Sequence, residues 1–76
     1  MDINEFVKNF SSEFENTDAS EFTASTRYHD LDEWDSFLAL GIMAKIGEEY
    51  GVYLTATDIR SSQTIQDLYD IVNSRL

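Results

Sequence analysis

A chain of 76 residues with 42% hydrophobic side chains can form one small core, but it is too short for a core plus a separate catalytic unit, so we expect a single domain over residues 1–76. The absence of cysteine excludes disulfides, thiolate metal sites and cysteine nucleophiles. A net charge of −10 argues against nucleic-acid binding, because phosphate backbones attract clusters of Lys and Arg, and it favours partners with basic surfaces.

The first helix is predicted over about residues 3–14. Asp2 and Glu5 form a start signal like a capping box. Apolar residues then recur every three or four positions, as on one buried helix face: Ile3, Phe6, Val7, Phe10 and Phe14.

Residues 15–35 are rich in Ser, Thr, Asp and Asn and show no sustained period, which predicts a long connection with room for a short helical turn. Trp34 is interpreted as an anchor that pins this connection onto the bundle. His29, the only histidine, is expected to be a solvated loop residue rather than a general base. Asp30 and Asp32 do not complete a calcium loop, and we expect no metal site.

The negative charge is concentrated ahead of residue 36. Residues 1–35 hold ten acidic and two basic side chains, whereas residues 36–76 hold five and three. This excess either steers a basic enzyme toward the segment that follows or simply keeps the protein soluble.

A second helix is predicted from Ser36 to Tyr50, ending at Gly51, a residue type common just past helix ends. Asp35-Ser36 places one hydroxyl at its start. Taken alone, the pair is explained by helix capping, since either side chain can accept from the unpaired amides of the first turn.

The apolar residues of the second helix fall on two arcs when about 100° is allowed per residue. The core arc comprises Ala39, Ile42, Met43, Ile46 and Tyr50. Phe37, Leu40 and Ala44 lie on a neighbouring arc beside Ser36, which either packs under the 15–35 connection or is left exposed for a partner.

Thr55 and Asp58 predict a short third helix through about Arg60, and Thr64 and Asp67 start a last helix. The buried stripe of that last helix is predicted to be Ile65, Leu68, Tyr69, Ile71 and Val72. No strand pattern is present. The predicted fold is therefore all-α: a small four-helix bundle of three main helices and one short helix. No apolar run approaches the ~20 residues of a membrane span, and no leader pattern is seen, so we expect a cytoplasmic monomer without membrane insertion.

Residues 30–72 carry a longer pattern that resembles the acyl carrier protein family. The matching residues are Asp35-Ser36-Phe37, Leu40, Ile42-Met43, Ile46, Glu48-Glu49-Tyr50-Gly51-Val52, Leu54, Asp58-Ile59 and Thr64-Ile65-Gln66-Asp67-Leu68. The family hallmark is Asp-Ser-Leu at the head of the second helix.

The resemblance implies that Ser36 accepts 4′-phosphopantetheine from coenzyme A through a phosphopantetheinyl transferase that uses Mg²⁺. Asp35 would then help to position metal and cofactor during transfer. The thiol of the arm would carry an acyl or aminoacyl group as a thioester between biosynthetic enzymes. On this view the chain is a carrier, not an enzyme, and it needs no catalytic residue of its own.

By the same resemblance, partner enzymes would dock on Phe37, Leu40 and Ala44, with Glu48 and Glu49 meeting basic residues around that patch. The chain also departs from the family's fatty acid carriers, which usually hold acids where it has Leu38, Gly41, Lys45 and Gly47. These departures, with Phe37 replacing Leu and Trp34 before Asp35, indicate a specialised carrier for polyketide, peptide, polysaccharide or lipid modification. The alternative is a non-covalent acidic adaptor that binds a basic partner without being loaded.

Overall fold

The computed structural model describes residues 1–76 and contains four α-helices. They are α1 (Ile3–Ser11), α2 (Ser36–Tyr50), α3 (Ala56–Ser61) and α4 (Ile65–Asn73). There is no strand, only an isolated bridge between Arg27 and Thr64. The predicted all-α bundle of three main helices and one short one is confirmed. None of the helices is long and apolar enough to cross a membrane.

One hydrophobic cluster holds the helices together, and it draws side chains from every helix and from the segments between them. Its buried members are Phe6, Phe10, Phe14, Phe22, Tyr28, Ile42, Ile46, Val52, Leu54, Ile59, Ile65, Leu68 and Val72. The predicted stripe of α4 is confirmed, with Tyr69 and Ile71 at its half-buried margin.

Helix α1 ends at Ser11, three residues before the predicted end. The hydroxyls of Ser11 and Ser12 donate to the carbonyls of Lys8 and Asn9, at 3.0 and 2.6 Å, and compete with the helical hydrogen bonds there. A tighter turn follows and carries Phe14 into the core.

The other predicted boundaries agree with the structure. Helix α2 ends at Gly51, whose φ of 69° lies in the left-handed region that glycine tolerates. Thr55 with Asp58, and Thr64 with Asp67, form complete capping boxes at the starts of α3 and α4.

The connection between α1 and α2 is more deeply embedded than its polar composition indicates. It contains two short 3₁₀ turns, Ala19–Glu21 and Tyr28–Asp30, and it buries Phe22 and Tyr28. Its backbone also satisfies the start of α4, where the amide of Ile65 donates to the carbonyl of Thr26 at 3.2 Å. The amide of Gln66 donates to the carbonyl of Ala24 at 2.8 Å.

A bidentate ion pair ties the end of the chain to α3. The two terminal nitrogens of Arg75 donate to the Asp58 carboxylate at 2.7 and 2.8 Å, and one Asp58 oxygen also accepts from the amide of Thr55. These hydrogen bonds, with that from Arg75 the strongest cause, hold the pKa of Asp58 far below its usual range.

Asp58→Asn is expected to lower the free energy of unfolding at pH 7 by about 1–3 kcal/mol, because it removes a charged hydrogen-bonding partner. The folded carboxyl keeps its charge to lower pH than the unfolded one. Its contribution is therefore complete well above the unfolded pKa of about 4 and is lost progressively as the pH falls below it.

Urea unfolding of the wild type and Asp58→Asn at pH 7 and pH 3 measures this difference. Asp32→Asn, at an exposed carboxylate without an ion pair, is the control. A gap between wild type and Asp58→Asn that is equally large at both pH values would contradict the assignment.

Candidate functional site: the amino end of helix α2

Ser36 is the first residue of α2, and its side chain is exposed. The preceding residue, Asp35, is the cap: its Oδ1 accepts from the amide of Leu38 at 2.9 Å. Capping is thus done by the carboxylate, and the Ser36 hydroxyl is left facing solvent at a helix amino terminus. Such termini favour anions, because unpaired amide hydrogens and the helix dipole both point toward them.

The segment that leads into Ser36 is fixed by aromatic packing. The ring of Trp34 lies edge-on to Tyr28, with centroids 4.9 Å apart, and stacks near Phe14 at 6.4 Å. The prediction that Trp34 anchors the connection is confirmed.

Glu33 fixes the same segment from the polar side. Its carboxylate accepts from the amides of Glu15 and Asn16, both at 2.9 Å, and from the hydroxyl of Thr17 at 2.7 Å. The amide of Glu15 and then the hydroxyl of Thr17 are the main causes that lower the pKa of Glu33. The approach to Ser36 is therefore tied to the segment that follows α1.

His29 is not the solvated loop residue that the sequence indicates. It is half-buried, and its Nε2 lies 2.9 Å from the carbonyl of Ile59 and 3.1 Å from that of Ser62. The expectation of a solvated side chain was wrong, because the connection folds back onto α3. The imidazole fastens the connection to that helix.

An open groove of about 370 Å³ begins at Ser36 and runs between α2 and α3. Five of its seven lining residues are hydrophobic, and the full lining comprises Ser36, Ala39, Leu40, Met43, Ala56, Ile59 and Arg60. The sequence does not predict the contribution of α3 to this groove, because nothing local in Ala56 or Arg60 indicates which helix they face.

The second apolar arc of α2 does not pack under the connection. Phe37 is 84% exposed and Leu40 is 62% exposed, and Ala44 is exposed one turn further along. Of the two alternatives for this arc, the structure shows the exposed one. Exposed apolar side chains of this size, grouped on one helix face, are typical of protein interaction surfaces.

The two candidate docking carboxylates lie in different directions. At about 100° per residue, Glu48 lies about 20° around the helix from Phe37, whereas Glu49 lies about 120° from it. The Glu49 carboxylate pairs with the Lys45 ammonium at 3.4 Å. Glu48 is the acid of α2 that borders the exposed apolar arc.

The chemistry available at the site is that of a hydroxyl offered to an outside catalyst. The single imidazole is engaged with two backbone carbonyls, and no group of His, Asp and Glu side chains is arranged to hold a metal ion. Ser36 thus lies at an exposed helix terminus beside an apolar groove, a geometry that suits covalent attachment of a phosphate-linked group.

A profile of the phosphopantetheine attachment site family matches residues 5–72. The chain belongs to this family of carrier domains. The resemblance noted in the sequence is confirmed, and with it the cofactor, covalently attached 4′-phosphopantetheine. Comparisons with curated proteins and with solved structures give no significant match.

Membership in this family indicates the general role of the chain. Domains of this family are modified by phosphopantetheinyl transferases and interact with biosynthetic enzymes, and they carry a group rather than catalyse a reaction. When bound, the cofactor supplies a terminal thiol that can hold cargo as a thioester. The residues around Ser36 fit such a group, since the hydroxyl is exposed and the neighbouring groove is open.

Proposed function

We propose that Ser36 is the attachment residue and that the protein is an acyl carrier. The observation that carries this proposal is the exposed Ser36 hydroxyl at the head of α2, next to a mainly apolar groove. In the loading step, Ser36 gives its proton to a base of the transferase. Its oxygen forms a bond to the phosphorus that bears the pantetheine, and the bond from that phosphorus to the departing adenosine 3′,5′-bisphosphate breaks.

Asp35 is proposed to act beside Ser36 during loading. One of its oxygens is committed to the amide of Leu38, which fixes the carboxylate at the mouth of the site. The other oxygen accepts no hydrogen bond from the chain and is available to the Mg²⁺ that the transferase uses. Removing Asp35 would therefore affect both the helix cap and loading.

An acyl cargo is favoured over an aminoacyl cargo by the lining of the groove. Ala39, Leu40, Met43, Ala56 and Ile59 offer apolar contacts, and the sole charged residue is Arg60 at the rim. An ammonium group placed there would meet no carboxylate, whereas an alkyl chain would be partly removed from water.

The cargo assignment predicts that a medium-length acyl chain perturbs the groove. In a protein loaded with an octanoyl thioester, the methyl signals of Met43 and Ile59 are expected to shift relative to an acetyl-loaded sample. An alanyl-loaded sample should resemble the acetyl one. Identical methyl spectra for the octanoyl and acetyl forms would contradict the assignment.

The docking patch remains part of the proposal. Phe37, Leu40 and Ala44 are exposed on α2, and Glu48 borders them. Neutral or basic residues at Leu38, Gly41, Lys45 and Gly47 support a specialised pathway rather than general fatty acid synthesis.

The experiment that tests the proposal is intact mass spectrometry after incubation with coenzyme A, Mg²⁺ and a phosphopantetheinyl transferase. The expected result is a gain of one phosphopantetheine, mapped by proteolysis to the peptide that contains Ser36. Absence of a mass gain, with a partner still bound, would support the runner-up function, a non-covalent acidic adaptor.

A further inference from the structure

Helix α2 contains two internal glycines, each of which costs about 1 kcal/mol relative to alanine in a helix. In both cases a side chain from outside the helix lies so close to the glycine that an added Cβ atom would crowd it. A Cβ at Gly41 would lie 2.9 Å from Oε1 of Glu13, and one at Gly47 would lie 3.3 Å from Cε1 of Tyr53. The glycines thus accommodate a carboxylate and an aromatic ring directly against the helix.

Both of these side chains border the exposed apolar arc. At about 100° per residue, Gly41 lies about 40° around the helix from Phe37, and Gly47 lies about 20° from Leu40. Glu13 therefore flanks the arc on one side. Tyr53, which is 82% exposed, extends it toward the carboxyl end of α2.

Glu13 forms no ion pair at this place. Its carboxylate takes part in none of the three ion pairs of the structure, and the nearest lysine along α2, Lys45, is paired with Glu49. The turn after α1 thereby delivers a negative charge to the outer face of α2 at Gly41, a position where the helix itself has no acidic side chain. Local sequence patterns do not predict this contact, since 28 positions separate the two residues.

We infer that Glu13 and Tyr53 complete the docking face of α2 for the phosphopantetheinyl transferase, with Glu13 receiving a Lys or Arg of that enzyme. This inference rests on the proposed function of Ser36. The charge pattern favours such a partner, because an apolar arc bordered by Glu13 and Glu48, on a chain of net charge −10, complements an apolar patch with a basic rim. Tyr53 adds an aromatic contact of the kind enriched at interfaces.

Loading kinetics with a purified transferase test the inference. Glu13→Gln is expected to raise KM about two- to fivefold at low salt with kcat unchanged, as for loss of one exposed ion pair. The effect should vanish at about 0.5 M salt, where the Debye length is only about 4 Å. Tyr53→Ala should raise KM about fivefold or more at both salt concentrations, because its contact is apolar.

Two further variants distinguish the effect of where the Glu13 charge lies from the effect of the net charge of the protein. Glu15→Gln makes the same charge change two residues away and should leave KM unchanged. In the double variant Glu13→Ala with Gly41→Glu, the charge returns to the same face from α2 itself, and KM should return toward the wild-type value.

Each of these measurements either supports or overturns the proposed role of Glu13. Equal KM values for Glu13→Gln and wild type, or equal increases for Glu13→Gln and Glu15→Gln, would overturn the role of Glu13 while leaving Ser36 as the attachment residue. A wild-type protein that gains no mass at all would overturn the proposed function and this inference together.

Discussion

Ser36→Ala is expected to abolish loading by the transferase completely, with no loss of fold. The variant lacks the one oxygen that could form the phosphodiester at the head of α2. The helix start is preserved because the cap hydrogen bond comes from Asp35, whose Oδ1 lies 2.9 Å from the amide of Leu38. The free energy of unfolding should change by no more than about 0.5 kcal/mol, as for an exposed side chain without partners.

Two other variants test whether the loss of loading is specific to the Ser36 hydroxyl. Ser61→Ala, which removes an exposed hydroxyl from α3, should load like the wild type. Asp35→Ala should slow loading and also cost about 1 kcal/mol of stability through loss of the cap. A mass gain in Ser36→Ala equal to that of the wild type would show that another residue carries the cofactor. The measurements are intact mass spectrometry and urea unfolding.

The helices could be predicted from the sequence because their signals are local. Asp35, Thr55 and Thr64 each cap a helix through a bond to an amide three residues on, and Gly51 ends α2 in a left-handed conformation. Each signal depends only on residues within one helical turn. The end of α1 was misplaced because two serines with competing hydrogen bonds outweighed the continuing apolar period through Phe14.

Some features of the candidate site could likewise be predicted from local patterns, and others could not. Ser36 and the exposed arc of Phe37 and Leu40 follow from helical periodicity, which places neighbours on one face. Ile59 lines the groove and Glu13 lies against Gly41. Both features depend on contacts between distant parts of the chain. Periodicity within a helix carries no information about such contacts.

The sequence predicts the connection between α1 and α2 as a long segment with a short helical turn, but it does not predict how deeply that segment packs into the core. Polar side chains dominate it, yet four spaced hydrophobic residues reach inward: Phe22, Tyr28, Leu31 and Trp34. A gap of six residues followed by only two steps of three gives no sustained helix or strand period, so the polar composition dominates the pattern. The segment is instead a packed wall of the core, and Tyr28 is its centre.

Tyr28→Ala is therefore expected to remove a large fraction of the free energy of unfolding at 25 °C. The Tyr28 side chain is fully buried, and its ring lies 5.1 Å from that of Phe10 and 4.9 Å from that of Trp34, between centroids. Removing a buried aromatic ring costs about 3–5 kcal/mol. A chain of this length has a total stability of only about 4–11 kcal/mol at the usual 0.05–0.15 kcal/mol per residue.

Tyr28→Phe separates the ring from its hydroxyl. The hydroxyl donates to the carbonyl of Ile59 at 3.0 Å and bonds with the hydroxyl of Ser62, and burial raises its pKa above the usual value. Its loss should cost about 1–2 kcal/mol, because Ser62 retains the carbonyl of Asp58 as a partner at 2.9 Å. Urea unfolding measures both variants. If Tyr28→Ala were no less stable than Tyr28→Phe, the ring would contribute nothing beyond its hydroxyl, and the connection would not be a structural wall. Since the same wall holds Trp34, the tyrosine that stabilises the fold also sets the position from which Asp35 and Ser36 begin α2.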